Sequence, residues 1–213
     1  MSSNPAVFIP LLSRQSLDRA IALIATLPFL WLAYYRYHHM KLGLPLLSLT
    51  IGVTLLFVTM IFRRPPTRVT TNPLFWLLAF VATYWPVLTV SLIEKGVPIA
   101  PDWITEGIGL LSLTITVWAR FSMGRNIGFV PAQRRIVTTG AYAFMRHPIY
   151  TGLFLGYLAI ALRAFSPRNA AVLALGSLWF AIKSVVEENF LKLDPEYAAY
   201  LGQVRARWIP FMV

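Results

Sequence analysis

Cysteine is absent from the 213-residue chain, charged residues make up only 13% of it, and just 8 of these are acidic. Without cysteine there is no disulfide, no thiolate zinc cluster and no cysteine nucleophile. With so few carboxylates, and no second separated acid cluster, a paired-carboxylate hydrolase is disfavoured. No internal repeat or low-complexity tract is visible. What fills the chain is apolar: 57% hydrophobic and 14% aromatic residues, with a mean hydropathy of +0.64. That is the composition of a polytopic membrane protein rather than a soluble domain. The net charge of +11 does not argue for nucleic acid, because the basic residues lie in short loops between apolar runs, where they meet lipid headgroups and set topology.

A bilayer core needs about 20 apolar residues per helix. Segments approaching this run from about Leu17 to Tyr35, Leu44 to Phe62, Leu74 to Ile93 and Trp103 to Phe121, followed by a pair, Ile149 to Leu162 and Asn169 to about Val186. The pair is joined around Pro167 and reads as a helical hairpin whose first arm is short for a full crossing. The expected fold is an all-α membrane bundle of five or six transmembrane helices with a C-terminal helix over a polar pocket. Under a six-crossing count, Arg14, Arg19, Arg63, Arg64, Arg68, Arg120, Arg125, Arg134, Arg135, Arg146, Lys192, Arg205 and Arg207 share one side. Arg36, Lys41, Lys95, Arg163 and Arg168 lie opposite, with Glu94, Asp102 and Glu106. The asymmetry puts both termini in the cytoplasm. The N-terminus lacks the pattern of a cleaved secretory signal and is expected to be retained; Phe8, Ile9, Leu11 and Leu12 suit a short interfacial segment or a disordered one. Residues 1–101 read as scaffold and 102–213 as the part carrying chemistry.

Charge inside such a chain is costly and marks a site. From Arg120 to Tyr150 the sequence is RFSMGRNIGFVPAQRRIVTTGAYAFMRHPIY, in which Gly124, Gly128 and Gly140 allow tight turns close to a ligand. Arg125 and Arg146 offer forked donors to a carboxylate, His147 can donate or accept, and Tyr150 presents a ring and a hydroxyl. Pro148 fits the first turn of a helix, which places Arg146 and His147 where free backbone donors favour anions. Each arginine taken singly also fits a headgroup anchor. Glu187 and Glu188 are placed just after the last apolar helix; adjacent helical residues point about 100° apart, so one can meet ligand while the other pairs with arginine. Tyr197 and Tyr200 share a helical face that Val204 and Trp208 would continue. His38 and His39 read as an interfacial pair, and no metal site is expected.

In order, GAYAFMRHPIYTGLFLG, an apolar hairpin, EENFLKLDPEYAAY and a terminal RWIPF resemble the isoprenylcysteine carboxyl methyltransferase family and the related integral-membrane phospholipid methyltransferases, over roughly the last hundred residues. The resemblance implies an S-adenosylmethionine-dependent methyltransferase releasing S-adenosylhomocysteine. Its cofactor would lie in a cytoplasm-facing pocket, and a lipophilic acceptor would enter between helices from the bilayer: a prenylated carboxylate, a lipid amine or another hydrophobic small molecule. It assigns cofactor contacts to His147, Tyr150, Glu187, Glu188, Tyr197 and Tyr200, and through the upstream Gly-Arg-Asn segment to Arg125 and Asn126, and catalytic roles to Arg146 and Glu188. Two positions depart from the family pattern: Val185 stands where an arginine is usual, with Lys183 nearby, and Leu193, Asp194 and Pro195 replace a Phe-Gly pair. A membrane sterol reductase using NADPH is the alternative, but Ile149 and Leu153 occupy the places where such enzymes carry Asn and an acid.

Overall fold

The computed structural model describes residues 30–31, 34–35, 38–39, 43–128 and 131–210. The interfacial segment expected around Phe8 to Leu12 and most of the Leu17–Tyr35 run lie outside these residues. Five helices run end to end through the bundle: α1 (Gly43–Ile61), α2 (Pro73–Leu92), α3 (Asp102–Met123), α4 (Pro148–Arg163) and α5 (Pro167–Leu191). A shorter α6 (Pro195–Gln203) follows. Local chemistry sets several starts. Pro73, Pro148, Pro167 and Pro195 each open a helix, where a missing N–H costs nothing, and Asn72, Ser166 and Asp194 cap α2, α5 and α6 through their side chains.

Among the described residues, charges from the two expected groups gather at opposite ends of the bundle. At one end Arg163 Nη1 lies 2.7 Å from Glu106, whose other oxygen accepts from the Leu44 N–H at the start of α1. Arg168 reaches Glu94 there, and the fully buried Asn169 ties the Glu94 backbone to Ala164. At the other end, Arg64 N–H donates to the Arg125 carbonyl at 2.8 Å, and strands β1 (Arg68–Val69) and β2 (Ala132–Gln133) pair antiparallel. The two long loops 62–72 and 124–147 and the residues after α6 lie at this second end, and the site is built there.

Packing inside the bundle relies on close helix approach. α3 lies chiefly along α4 and α1, while α5 lies along α2. A Cβ on Gly152 of α4 would collide with Thr116 Oγ1 and sit 3.1 Å from the Ser112 carbonyl of α3. Gly152→Val is therefore expected to destabilise the protein by about 1–3 kcal/mol, the usual cost of overpacking, read as a lower unfolding midpoint in detergent. An unchanged midpoint would show that α3 and α4 part freely.

Outward, the long helices are apolar. Leu74, Leu77, Phe80 and Leu88 of α2 and Leu178, Ile182 and Val185 of α5 are exposed. α2 and α5 are long and apolar enough to cross a membrane, and only 33% of each apolar window is buried, whereas the core helix of a soluble protein would be mostly covered. α1 and α4 are apolar but shorter.

Candidate functional site

The turn before α4 and the end of α5 meet at the loop-rich end. α5 continues beyond the apolar run that ends near Val186: its hydrogen bonding reaches Leu191, so Glu187 and Glu188 lie within the helix, where neighbours point about 100° apart. Charge interrupts the apolar run, but Glu, Asn, Leu and Lys are all compatible with helix. The rotation between neighbours then sends the two carboxylates to different partners.

Glu188 is 6% exposed and sits among cations. Its Oε1 lies 3.0 Å from His147 Nε2 and 3.0 Å from Arg146 Nε, and Arg207 grips both oxygens, from Nε at 3.2 Å and Nη2 at 2.8 Å. The Arg146 contact is an ion pair only, since its Nε–H is not aimed at the carboxylate. Glu187, one residue earlier, accepts the Tyr150 hydroxyl at 2.7 Å and lies 3.7 Å from Lys183 Nζ. Lys183 also donates to Thr83 of α2 at 3.2 Å and sits over the Tyr150 ring. The His147 and Tyr150 rings stack with centroids 5.2 Å apart.

The free backbone donors expected before Pro148 are not free. Arg146 N–H and His147 N–H donate to the carbonyls of Ala206 and Arg207, both at 2.9 Å. The residues after α6 thus strap the turn in place, and Thr151 Oγ1 adds a bond to the Trp208 carbonyl. Trp208 does not continue the α6 face; it packs against Phe154. Tyr197, Tyr200 and Val204 form their own small core with Ile136 and Leu191. Burial, and then the nearby Glu188 carboxylate, pushes the Tyr197 phenol well above its ordinary value; burial does the same for Tyr200. Both stay protonated donors, and Tyr200 donates to the Tyr142 carbonyl at 2.7 Å.

A cavity opens beside these groups. Its loop-end wall carries Asn126, Arg134, Arg135, Arg146, His147, Tyr197 and Tyr200. Its helix-side wall carries Gly52, Val53 and Leu56 of α1, Thr83 and Pro86 of α2, Thr116 and Arg120 of α3, Leu153 of α4 and Phe180, Lys183 and Glu187 of α5. The structure therefore gathers Asn126, Arg146, His147, Tyr150, Glu187, Tyr197 and Tyr200 around one space. It leaves two expected residues off the wall. Glu188 stands behind it, engaged with Arg146, His147 and Arg207, and Arg125 is exposed with Nε on the Phe62 carbonyl at 2.7 Å. The first half of the chain is more than support, since α1 and α2 supply part of the wall.

Sequence reasoning passed over three side chains. Arg120 and Lys183 are 7% and 4% exposed and line the cavity, and Arg207 completes the Glu188 cluster. Arg120 was grouped with headgroup anchors, yet it lies inside the C-terminal part of α3, and a charge embedded in an apolar helix is the signal that singled out the turn at Arg146.

Comparison with known proteins finds a similarity over the part of the chain that carries most of this arrangement. In particular, residues 104–193 match the family model of the phospholipid methyltransferases. The matched stretch begins in α3, contains Arg120, the Arg146–His147 turn, Lys183 and both glutamates, and ends before α6 and the strap. It implies membrane methyltransferase activity and gives the reductase alternative no support. Among curated proteins, none matches the chain.

Proposed function

We propose that the protein is a multi-pass membrane methyltransferase that uses S-adenosylmethionine to methylate a lipophilic acceptor, with the cavity and the C-terminus on the cytoplasmic side. In this reading the bundle crosses the bilayer five or six times, and residues 102–213 carry the chemistry. The observation that carries it is the cavity's two-sided wall: cations and phenols at the loop end, and continuing from them a helix surface that is largely apolar but carries Glu187.

The residues present suit such a cofactor. Arginine forks at Arg134, Arg135 and Arg146 complement a carboxylate, and Glu187 complements a hydroxyl or ammonium donor. Bound there, the cofactor supplies a methyl group already activated on sulfur, so no covalent enzyme intermediate is needed. The protein's contribution is then to position and to exclude water. Glu188 holds Arg146, His147 and Arg207 in fixed places, and the strap fixes the turn that bears the first two. Tyr150 holds Glu187 on the wall. For an acceptor arriving as an ammonium, Glu187 is the carboxylate placed to take the proton, because His147 Nε2 is committed to Glu188. A carboxylate acceptor needs no base.

Titration calorimetry of the purified protein with S-adenosylhomocysteine is expected to give saturable binding, and a labelled methyl donor incubated with native lipid extract is expected to label an organic-soluble product. Absence of binding together with absence of label would overturn the reading.

A further inference from the structure

Two buried cations on the helix-side wall have a single carboxylate between them. Arg120 is 7% exposed, forms no ion pair among the described residues, and its Nε has no hydrogen-bond partner there. Lys183, 4% exposed, has Thr83 and one carboxylate at 3.7 Å, but Glu187 also serves Tyr150. Glu187 is the one acidic residue on the described cavity wall, against Arg120, Lys183, Arg134, Arg135 and Arg146. Arg134, Arg135 and Arg146 belong to the loop end, whereas Arg120 and Lys183 share their wall with Thr83, Pro86, Thr116, Leu153 and Phe180.

A buried charge left without a partner costs several kcal/mol, and a ligand of opposite charge recovers that cost on binding. The neighbouring surface is apolar and faces helices, so the ligand's remainder is hydrocarbon. We infer that Arg120 and Lys183 form an anion subsite that receives the negatively charged head of the lipophilic acceptor and discriminates against a simple alkylammonium. The word acceptor rests on the methyl-transfer reading; the anion subsite rests on the two cations alone. Lys183 would be a specificity-determining residue of this subsite.

The test compares amphiphiles of one chain length, dodecanoate, dodecyl phosphate, dodecanol and dodecylamine, binding to the full chain in phosphatidylcholine nanodiscs, with empty nanodiscs as reference. Measurements are made at a pH where the carboxylate is ionised, with and without saturating S-adenosylhomocysteine. At least one anion is expected to bind about tenfold or more tighter than the alcohol and the amine, the scale of a hydrogen bond to a charged group, and the cofactor product should not displace it. The carboxylate and phosphate arms tell which anion the subsite prefers. Lys183→Met should remove most of that preference and Lys183→Arg should keep it. Equal or tighter binding of the amine, or competition between the anion and S-adenosylhomocysteine, overturns the subsite; the wild-type series decides this even if a variant fails to fold. Cofactor-product binding without anion preference sinks the subsite alone, whereas anion preference without cofactor-product binding sinks the methyl-transfer reading alone.

Discussion

Glu188→Ala is expected to lower stability by about 3–5 kcal/mol, the range for stripping one partner from a buried ion pair. The removed carboxylate is the meeting point of Arg146, His147 and Arg207, which come from the turn before α4 and from the strap. Arg146 is left 13% exposed with no counter-charge, while Arg207, at 34%, can turn towards water, which places the loss nearer the lower end. Glu188→Gln should cost less, because the amide oxygen still accepts from Arg207. Tryptophan fluorescence during thermal unfolding in detergent measures both. A wild-type midpoint for Glu188→Ala would mean that the cluster carries no fold, and that Glu188 acts on ligand directly instead.

Glu187→Gln should behave in the opposite way. The substitution keeps shape and keeps an oxygen for the Tyr150 hydroxyl, so the midpoint should move by no more than about 1 kcal/mol. Affinity for S-adenosylhomocysteine should fall by roughly a hundredfold, as when a charge-assisted hydrogen bond of about 2–3 kcal/mol is lost. Calorimetry on the variant gives the answer, and wild-type affinity would remove Glu187 from the cofactor site. Together the two substitutions separate a carboxylate that holds the turn from one that faces the cavity, although they are adjacent in the chain.

Much of the helical layout was legible beforehand because its causes are local. The apolar runs at Leu44–Phe62, Leu74–Ile93 and Trp103–Phe121 became α1, α2 and α3 with ends shifted by one or two residues, since proline and charge mark such ends directly. The end of α5 was misjudged because hydropathy falls at Glu187 while helical hydrogen bonding does not. Arg120 and Lys183 were overlooked for a related reason. A lone basic residue near a helix end looks the same in sequence whether it snorkels to a headgroup or turns inward, and only the packing of α3 and α5 against the other helices tells the two apart.

By itself the sequence determined an apolar helical chain, the places where its helices begin, and the two polar segments at Arg146–Tyr150 and Glu187–Glu188. Tertiary structure alone decided that Glu188 turns back into the protein while Glu187 faces the cavity. It also decided that the strap occupies the backbone donors before Pro148 and that a charge from α3 joins one from α5 on the same wall. The reason is that periodicity and polarity are properties of neighbouring residues, whereas the partner of a buried charge is set by the rotation of one packed helix against others. Tyr150 and His147, which meet Glu187 and Glu188 from the turn before α4 and its first residues, lie 37 and 41 positions away in the chain, out of reach of any local pattern.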